Sequence, residues 1–369
     1  MSQPPVLDLL PTEVEADLRA TVRGLLDARC DAAAVTAVYD GDRAVVTPLW
    51  QSLTRELGLA GLLVPEDRGG AGASAREAAV VLEELGRAAA PVPFLTSAVI
   101  ATTALLDTDG DLLAELAAGE RTATLLVPLS AGPQDPLPVL GTDGAGRVSG
   151  SVTSVAGVLE ADTLLVLVAT DAGPALGVVG ASAASVVPVV SLDMTRQLAD
   201  VTLDGAEVTL VLDEGEPAVR RALQAGAALL ASEQAGLARW CLEETVAYLK
   251  VRPQFGRVVG GFQALKHRLA DLFTEVESAS AAAVNAAAAL AADDPDLVVA
   301  TCVAQSYCSD VAVHAAEEAV QLHGGIGMTW EHPAHLYLKR AKADQVALGT
   351  PGAHRTRLAE LVDLPGASA

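Results

Sequence analysis

The stretch VRPQFGRVVGGFQALKHRLADL, residues 251–272, breaks a long helical pattern in an unusual way. Pro253 and Gly256 interrupt the helix, Arg252 and Arg257 flank the interruption, and FQALKH opens a new helix. Guanidinium forks beside the free N–H groups of a helix start suit an anion. The alternative for the same residues is an inter-helix turn with solvated arginines. Upstream, residues 218–251 are Ala-rich and free of internal proline. Downstream, residues 262–292 read as helix up to Asp293, Asp294 and Pro295, residues 296–323 up to Gly324 and Gly325, and residues 333–348 as a fourth helix. Antiparallel helices of this length make a bundle, here spanning 216–369.

Outward from this bundle the texture changes. Within residues 121–215, TATLLVPL, GRVSGSVTSVAG, ADTLLVLVA, GPALGVVGA, ASVVPVV and ADVTLDGAEVTLVL are short runs rich in Val and Thr, separated by Gly, Asp and Pro. That spacing predicts an all-β unit, a small barrel or a sandwich. Residues 1–120 are helical again. LPTEVEADLRATVRGLLDA carries Thr12 and Glu15 as a capping box, and AREAAVVLEELGRAAA is a second clear helix. Between them LGLAGLLVPEDRGGAG ends in turn chemistry at Pro65 and a glycine cluster. The fold class is therefore α+β with three parts: a helical domain at 1–120, a β domain at 121–215 and a helical bundle at 216–369.

Composition limits what such a fold can do. The chain has 369 residues, of which 51 % are hydrophobic and 3 % aromatic, so it is too apolar to be disordered. Lys and Arg number 24 against 47 Asp and Glu, a net charge of −23, which argues against nucleic-acid partners. The apolar runs near 162–190 are broken by Asp171, Gly173 and Pro174, short of the roughly 20 uninterrupted residues of a spanning helix. Cys30, Cys241, Cys302 and Cys308 form no CxxC pair, which suits a reducing cytoplasm. MSQPPVLDLLPTEVEADLRA lacks the basic and apolar succession of a signal peptide.

Common catalytic signatures are missing from the sequence: no GxSxG, HExxH or phosphate-binding loop is present. His332 and His335 stand three apart, but no neighbouring Cys or acidic pair completes a metal set, so no metal is expected. A second segment, AVQLHGGIGMTWEHPAHLYLKRAKADQVALGT at 319–350, places Gln321 in a last helical turn before Gly324, Gly325 and Gly327. Glycines there permit a helix stop and the close approach of a ligand to backbone.

Taken together, the R-x-x-F-G…FQ…H-x-LA-D block, the Q-x-x-GG-x-G…E-x-P block, LLVPEDRGGAG and EELGR resemble the acyl-CoA dehydrogenase family over essentially the whole chain. The resemblance implies FAD-dependent oxidation of the Cα–Cβ bond of an acyl-CoA thioester, with FAD at a subunit interface. It places Arg252, Gln254 and Phe255 at the pyrophosphate, Gln321 and Gly325 near the adenosine, and Thr350 in a cofactor-contacting turn. Where the family carries T-E-P, this chain keeps only Pro128. Where the family carries W-I-T, it has Ser154 and Ala156. The usual catalytic glutamate position is Leu348, and the alternative position falls at Gly226, followed by Ala227. Asp271 is the nearest remaining carboxylate by analogy.

These departures resemble the base-lacking subunit of heterotetrameric α2β2 actinobacterial acyl-CoA dehydrogenases that act on steroid side-chain thioesters. A second dehydrogenase subunit would then supply the base and the flavin-ring site, and an electron-transfer flavoprotein would accept the electrons. Two other readings stand beside it: a self-sufficient homo-oligomer with a displaced base, and a non-catalytic scaffold that keeps the fold.

Overall fold

A computed structural model of the chain describes residues 7–364. Residues 1–6, part of the stretch read against a signal peptide, lie outside the described residues. The N-terminal part holds α1 (Glu13–Arg29), α2 (Ala32–Ala37), α3 (Val46–Gln51), α4 (Ala75–Arg87), α5 (Thr102–Ala104) and α6 (Leu112–Ala117). The capping box forms as expected: Thr12 Oγ1 accepts from Glu15 N–H, and Glu15 Oε2 accepts from Thr12 N–H. A buried π-helical turn, Phe94–Ala101, runs directly into α5 and was not foreseen. Its residues FLTSAVIA are all buried and carry no helical periodicity to read.

The middle of the chain is two four-stranded sheets around one core, joined at one edge by a parallel bridge between Leu140 and Val168. Its strands are β1 (Ala123–Leu125), β2 (Gly141–Thr142), β3 (Arg147–Ala156), β4 (Thr163–Thr170), β5 (Gly173–Gly180), β6 (Ala184–Val189), β7 (Leu198–Glu207) and β8 (Thr209–Leu212). One sheet has the order β1-β4-β5-β8, the other β2-β3-β7-β6. The run 199–212, continuous in sequence texture, divides at Val208, whose N–H donates to Gly146 O while the chain passes from one sheet to the other. Alternate residues Val148 and Val152 of β3, Val201 and Leu203 of β7, and Leu164, Val166 and Val168 of β4 form the core between the sheets. Each such side chain contributes roughly 1.5–3 kcal/mol on burial.

The C-terminal part holds α7 (Gly215–Val251), the hairpin β9 (Pro253–Gln254) and β10 (Arg257–Val258), then α8 (Gln263–Ala291), α9 (Leu297–His323), α10 (Ala334–Asp344) and α11 (Pro351–Leu361). The four helices expected from the sequence appear within a few residues of their predicted ends. The last of them closes at Asp344, four residues early, and the chain goes on through turns to Leu348 at φ +55°. Helix α11 was not foreseen. PGAHRTRLAEL has no apolar stripe, and only Pro351 and His354 of its residues are buried.

Backbone packing groups the chain into two compact units. One contains residues 7–36, 79–90 and 228–364; the other contains 37–78 and 91–227, including both sheets. In the first unit Glu84, 1 % exposed, receives Arg23 Nη2 at 2.7 Å and Arg19 Nη1 at 3.1 Å. Among the described residues no helix is long and apolar enough to cross a membrane.

All four cysteines are free and buried. Burial pushes the thiols of Cys30 and Cys308 up to about 12 and raises those of Cys241 and Cys302. Thiolate is the reactive form. Native protein is therefore expected to react with iodoacetamide at neutral pH far more slowly than urea-unfolded chain, as counted by mass spectrometry. Fast labelling of any one thiol would contradict this.

Candidate functional site

The helix break at 252–261 is more ordered than a plain turn. Gln254 pairs with Arg257 and Pro253 with Val258 in an antiparallel hairpin. Its two central residues, Phe255 at φ +53° and Gly256 at φ +76°, have the positive dihedrals of a type I′ turn. Gly256 accepts that conformation freely, whereas a phenylalanine in it is held by its surroundings. The ring of Phe255 is 87 % exposed and meets Phe262 edge-on, with centroids 6.1 Å apart. Arg257 lies 3.8 Å over the Phe262 ring, a cation–π contact. Arg252 and Gln254 are exposed beside it. Backbone anchors the hairpin: Val259 N–H donates to Arg252 O at 2.8 Å, and Arg252 N–H donates to Tyr248 O at 3.0 Å. Phe262 at the start of α8 offers no side-chain cap.

Gln321 sits exposed in the last turn of α9. The glycines behind it have different reasons. A Cβ at Gly327 would lie 2.6 Å from Val320 O, so that glycine is required by packing. Gly324 is required by its φ of +65°. A Cβ at Gly325 would meet nothing within 4 Å, so no contact among the described residues explains its smallness. Thr350 is the N-cap of α11, with its Oγ1 accepting from Ala353 N–H at 3.2 Å. Arg252, Gln254, Phe255, Gln321, Gly325 and Thr350 thus all belong to the unit that contains 228–364.

Ser154 and Ala156, where the resemblance expects the W-I-T strand, belong to the other unit and look different. Ser154 lies on an irregular stretch of β3 at φ +57°. Its N–H donates to Asp200 Oδ1 at 2.9 Å and its carbonyl accepts from Leu129 N–H at 3.0 Å. Ala156 is buried, and its carbonyl accepts from Thr124 Oγ1 at 2.7 Å. Both backbone positions are thus satisfied within the β region. Leu348 is 1 % exposed and aliphatic. Gly226 and Ala227 are buried in α7. Asp271 is exposed on α8.

The structure also shows a buried polar network that sequence reasoning missed. Arg340 of α10, 1 % exposed, donates from Nε to Glu233 Oε1 at 2.7 Å, with Nη2 at 2.6 Å from the same oxygen. Asp344 Oδ2 lies 3.5 Å from Arg340 Nε, and Gln234 Nε2 donates to Asp344 O at 3.2 Å. The available signal was LLASEQAGLA, where two adjacent polar residues interrupt an otherwise apolar helix. Glu243 pairs with Arg87 at 2.5 Å, Arg239 with Glu277 at 2.5 Å, and Glu244 faces His332 at 3.8 Å. Helix α7 turns these carboxylates toward different neighbours, a direction that spacing alone does not encode.

Known proteins share this arrangement. The N-terminal-domain model of acyl-CoA dehydrogenases matches residues 12–111, and the C-terminal-domain model matches residues 213–362. Over 341 residues the chain is 38 % identical to the acyl-CoA dehydrogenase IpdE2 of Mycolicibacterium smegmatis, covering 92 % of this chain and 96 % of that protein. The chain belongs to the acyl-CoA dehydrogenase family. This acyl-CoA dehydrogenase is an oxidoreductase, and members of its family are flavoproteins. It is similar to a chain of the ChsE4–ChsE5 complex from Mycobacterium tuberculosis, with a TM-score of 0.86, 26 % identity, and coverage of 98 % of this chain and 100 % of that one. It is also similar to a variant of the Tcur3481–Tcur3483 steroid ACAD, with a TM-score of 0.82, 29 % identity, and coverage of 95 % and 98 %. The resemblance read from the motifs is therefore borne out at the level of family and fold.

Proposed function

We propose that this chain is one subunit of a heteromeric acyl-CoA dehydrogenase, holding the ADP half of FAD and depending on a second dehydrogenase subunit for the flavin-ring site and the base. The observation that carries the reading is the contrast between the two halves. The exposed fork of Arg252 and the uncrowded Gly325 fit a diphosphate and its nucleoside, whereas the ring-facing positions do not fit a flavin. At Ser154 there is no indole, and its N–H is already bonded to Asp200. The heteromeric relatives support the same reading.

In this reading Arg252 would hold the pyrophosphate and neutralise its charge, with Gln254 and Phe255 beside it on the hairpin. Gln321 and Gly325 receive the adenosine, and Thr350 orders the turn after Leu348. Leu348 excludes water and holds no proton, so α-proton removal belongs to a partner carboxylate. Bound FAD supplies the acceptor for the β-hydride. The substrate is an acyl-CoA with a bulky acyl group, of the steroid side-chain kind. An electron-transfer flavoprotein takes the electrons, and the enzyme works in the cytoplasm. The regions 1–120, 121–215 and 216–369 act as its helical, β and helical domains.

Expression with and without a dehydrogenase chain that carries a glutamate before its late Gly-Thr pair tests the proposal. Alone, the chain is expected to purify colourless. Together, a yellow, active complex is expected. In that complex Asp271→Asn should leave turnover within about twofold, and Arg252→Ala should weaken FAD retention by about tenfold or more. A yellow, homomeric and active chain by itself would sink the proposal, and loss of turnover in Asp271→Asn would restore Asp271 as the base. A complex that never holds flavin would leave the scaffold reading standing.

A further inference from the structure

Three side chains meet in the C-terminal helices at a place the cofactor reading does not use. Glu244 comes from α7, His323 from the C-terminal end of α9, and His332 from the segment that leads into α10. Their ligand-capable atoms all lie within 4.8 Å of one another. His332 Nε2 is 3.8 Å from Glu244 Oε1. The imidazole of His323 is 3 % exposed. Its Nδ1 lies 2.7 Å from Ala319 O, and a carbonyl only accepts, so Nδ1 carries the proton and Nε2 carries a lone pair. That Nε2 is buried and has no hydrogen-bond partner among the described residues. A bare buried acceptor is unfavourable and asks for an explanation.

The two histidine rings lie 4.0 Å apart, centroid to centroid, with a tilt of 38°. Tyr248 stacks on His323, with centroids 4.4 Å apart, and meets His332 edge-on at 6.5 Å. Rings that face one another do not hydrogen-bond edge to edge. Their ring nitrogens instead lie in one cluster with the Glu244 carboxylate, close enough for a single ion to reach all three. We propose that Glu244, His323 and His332 form a binding site for one divalent transition-metal ion, zinc in first place, which fastens the segment 324–333 to α7. Two imidazoles and a carboxylate are a donor set for such an ion. Burial lowers the pKa of both histidines, so the neutral, ligating form prevails.

The site has two requirements. Ala334 N–H donates to His332 Nδ1 at 3.2 Å, and ligation through Nε2 returns a proton to Nδ1, so this long contact is given up. The Glu244 side chain, 41 % exposed, swings to close the ligand set toward the spacing of about 3.3 Å that a tetrahedral ion demands. In the sequence the histidine near His332 is His335, three residues on. In the structure His335 packs edge-on against Trp330 instead, with centroids 4.5 Å apart. The partners of His332 come from elements far away in sequence.

The test uses the full-length chain, stripped with a chelator and titrated with cobalt(II) chloride and then with zinc chloride. Expected are a saturable visible absorption band with one cobalt per chain, its displacement by one equivalent of zinc, and a rise in the thermal midpoint with zinc. Glu244→Gln and His332→Ala should each weaken binding by about tenfold or more. His314→Ala, which alters an exposed histidine paired with Glu275, should leave binding unchanged. Absence of saturable binding would overturn the site, as would binding that both variants leave intact. Glu244 is exposed enough to be replaced without loss of the fold, which a circular-dichroism spectrum verifies. None of these readouts involves flavin or a partner subunit, so the cofactor reading and this one fail separately.

Discussion

Replacement of Arg340 by alanine is expected to destabilise the protein by about 3–5 kcal/mol, measured as a fall in the urea midpoint at unchanged slope. The guanidinium is buried between Glu233, 1 % exposed, and Asp344, fully buried. Two bonds of 2.7 and 2.6 Å reach Glu233 Oε1. Removing the cation strips two buried carboxylates in a low-dielectric interior of the guanidinium they share. Arg340→Lys should also be damaging, because an ammonium cannot supply the two N–H groups of the guanidinium edge. A double-mutant cycle with Glu233→Gln should be strongly non-additive, since each single change strips the other group of its partner. A loss below about 1 kcal/mol for Arg340→Ala would show that the network does not hold these helices.

A second large effect is expected where helices α4 and α7 cross. Gly236→Ala should destabilise by about 1–3 kcal/mol, although Gly→Ala inside a helix ordinarily stabilises by about 1 kcal/mol. The sign reverses because of what the new methyl group meets. A Cβ at Gly236 would lie 1.9 Å from Glu83 O, and one at Gly86 would lie 2.1 Å from Glu233 O. These are backbone atoms, so no side chain can swing aside and the helices themselves must part. Parting them also strains the ion pair between Arg87 and Glu243. Gly24→Ala on α1 is the control. A Cβ there would meet nothing within 4 Å, so the change should be neutral or slightly stabilising. Equal thermal midpoints for the two variants would refute the close crossing.

Much of the architecture was legible because it is periodic. Strands β3 to β7 were read nearly end for end from alternating Val and Thr runs between Gly, Asp and Pro. The long helices α7, α8 and α9 were bounded by Pro253, Asp293 and Gly324, residues that stop helices by local chemistry. Where local chemistry is silent, reading failed. The run 199–212 looks continuous, yet Val208 carries it from one sheet to the other. Helix α11 has no apolar stripe, and the turn 94–101 is buried throughout.

The candidate site divides in the same way. Arg252, Gln254, Phe255, Gln321 and Gly325 announced themselves because each stands in a compact motif beside a helix stop. The departures at Ser154 and Leu348 were equally legible as residue types. The meaning of Ser154 became physical only with its N–H directed at Asp200, 46 positions away.

From sequence alone came the three textures, the family resemblance and the residues that cannot act as a base, since these depend on local pattern and on what each side chain is able to do. Tertiary structure alone decided which distant groups meet. Arg340 and Glu233 are 107 residues apart, yet they touch because α10 packs against α7. Glu244, His323 and His332 gather from three elements for the same reason. The helical repeat shows which face a residue occupies. Packing determines what that face is laid against, and charge pairing and metal ligation follow from it.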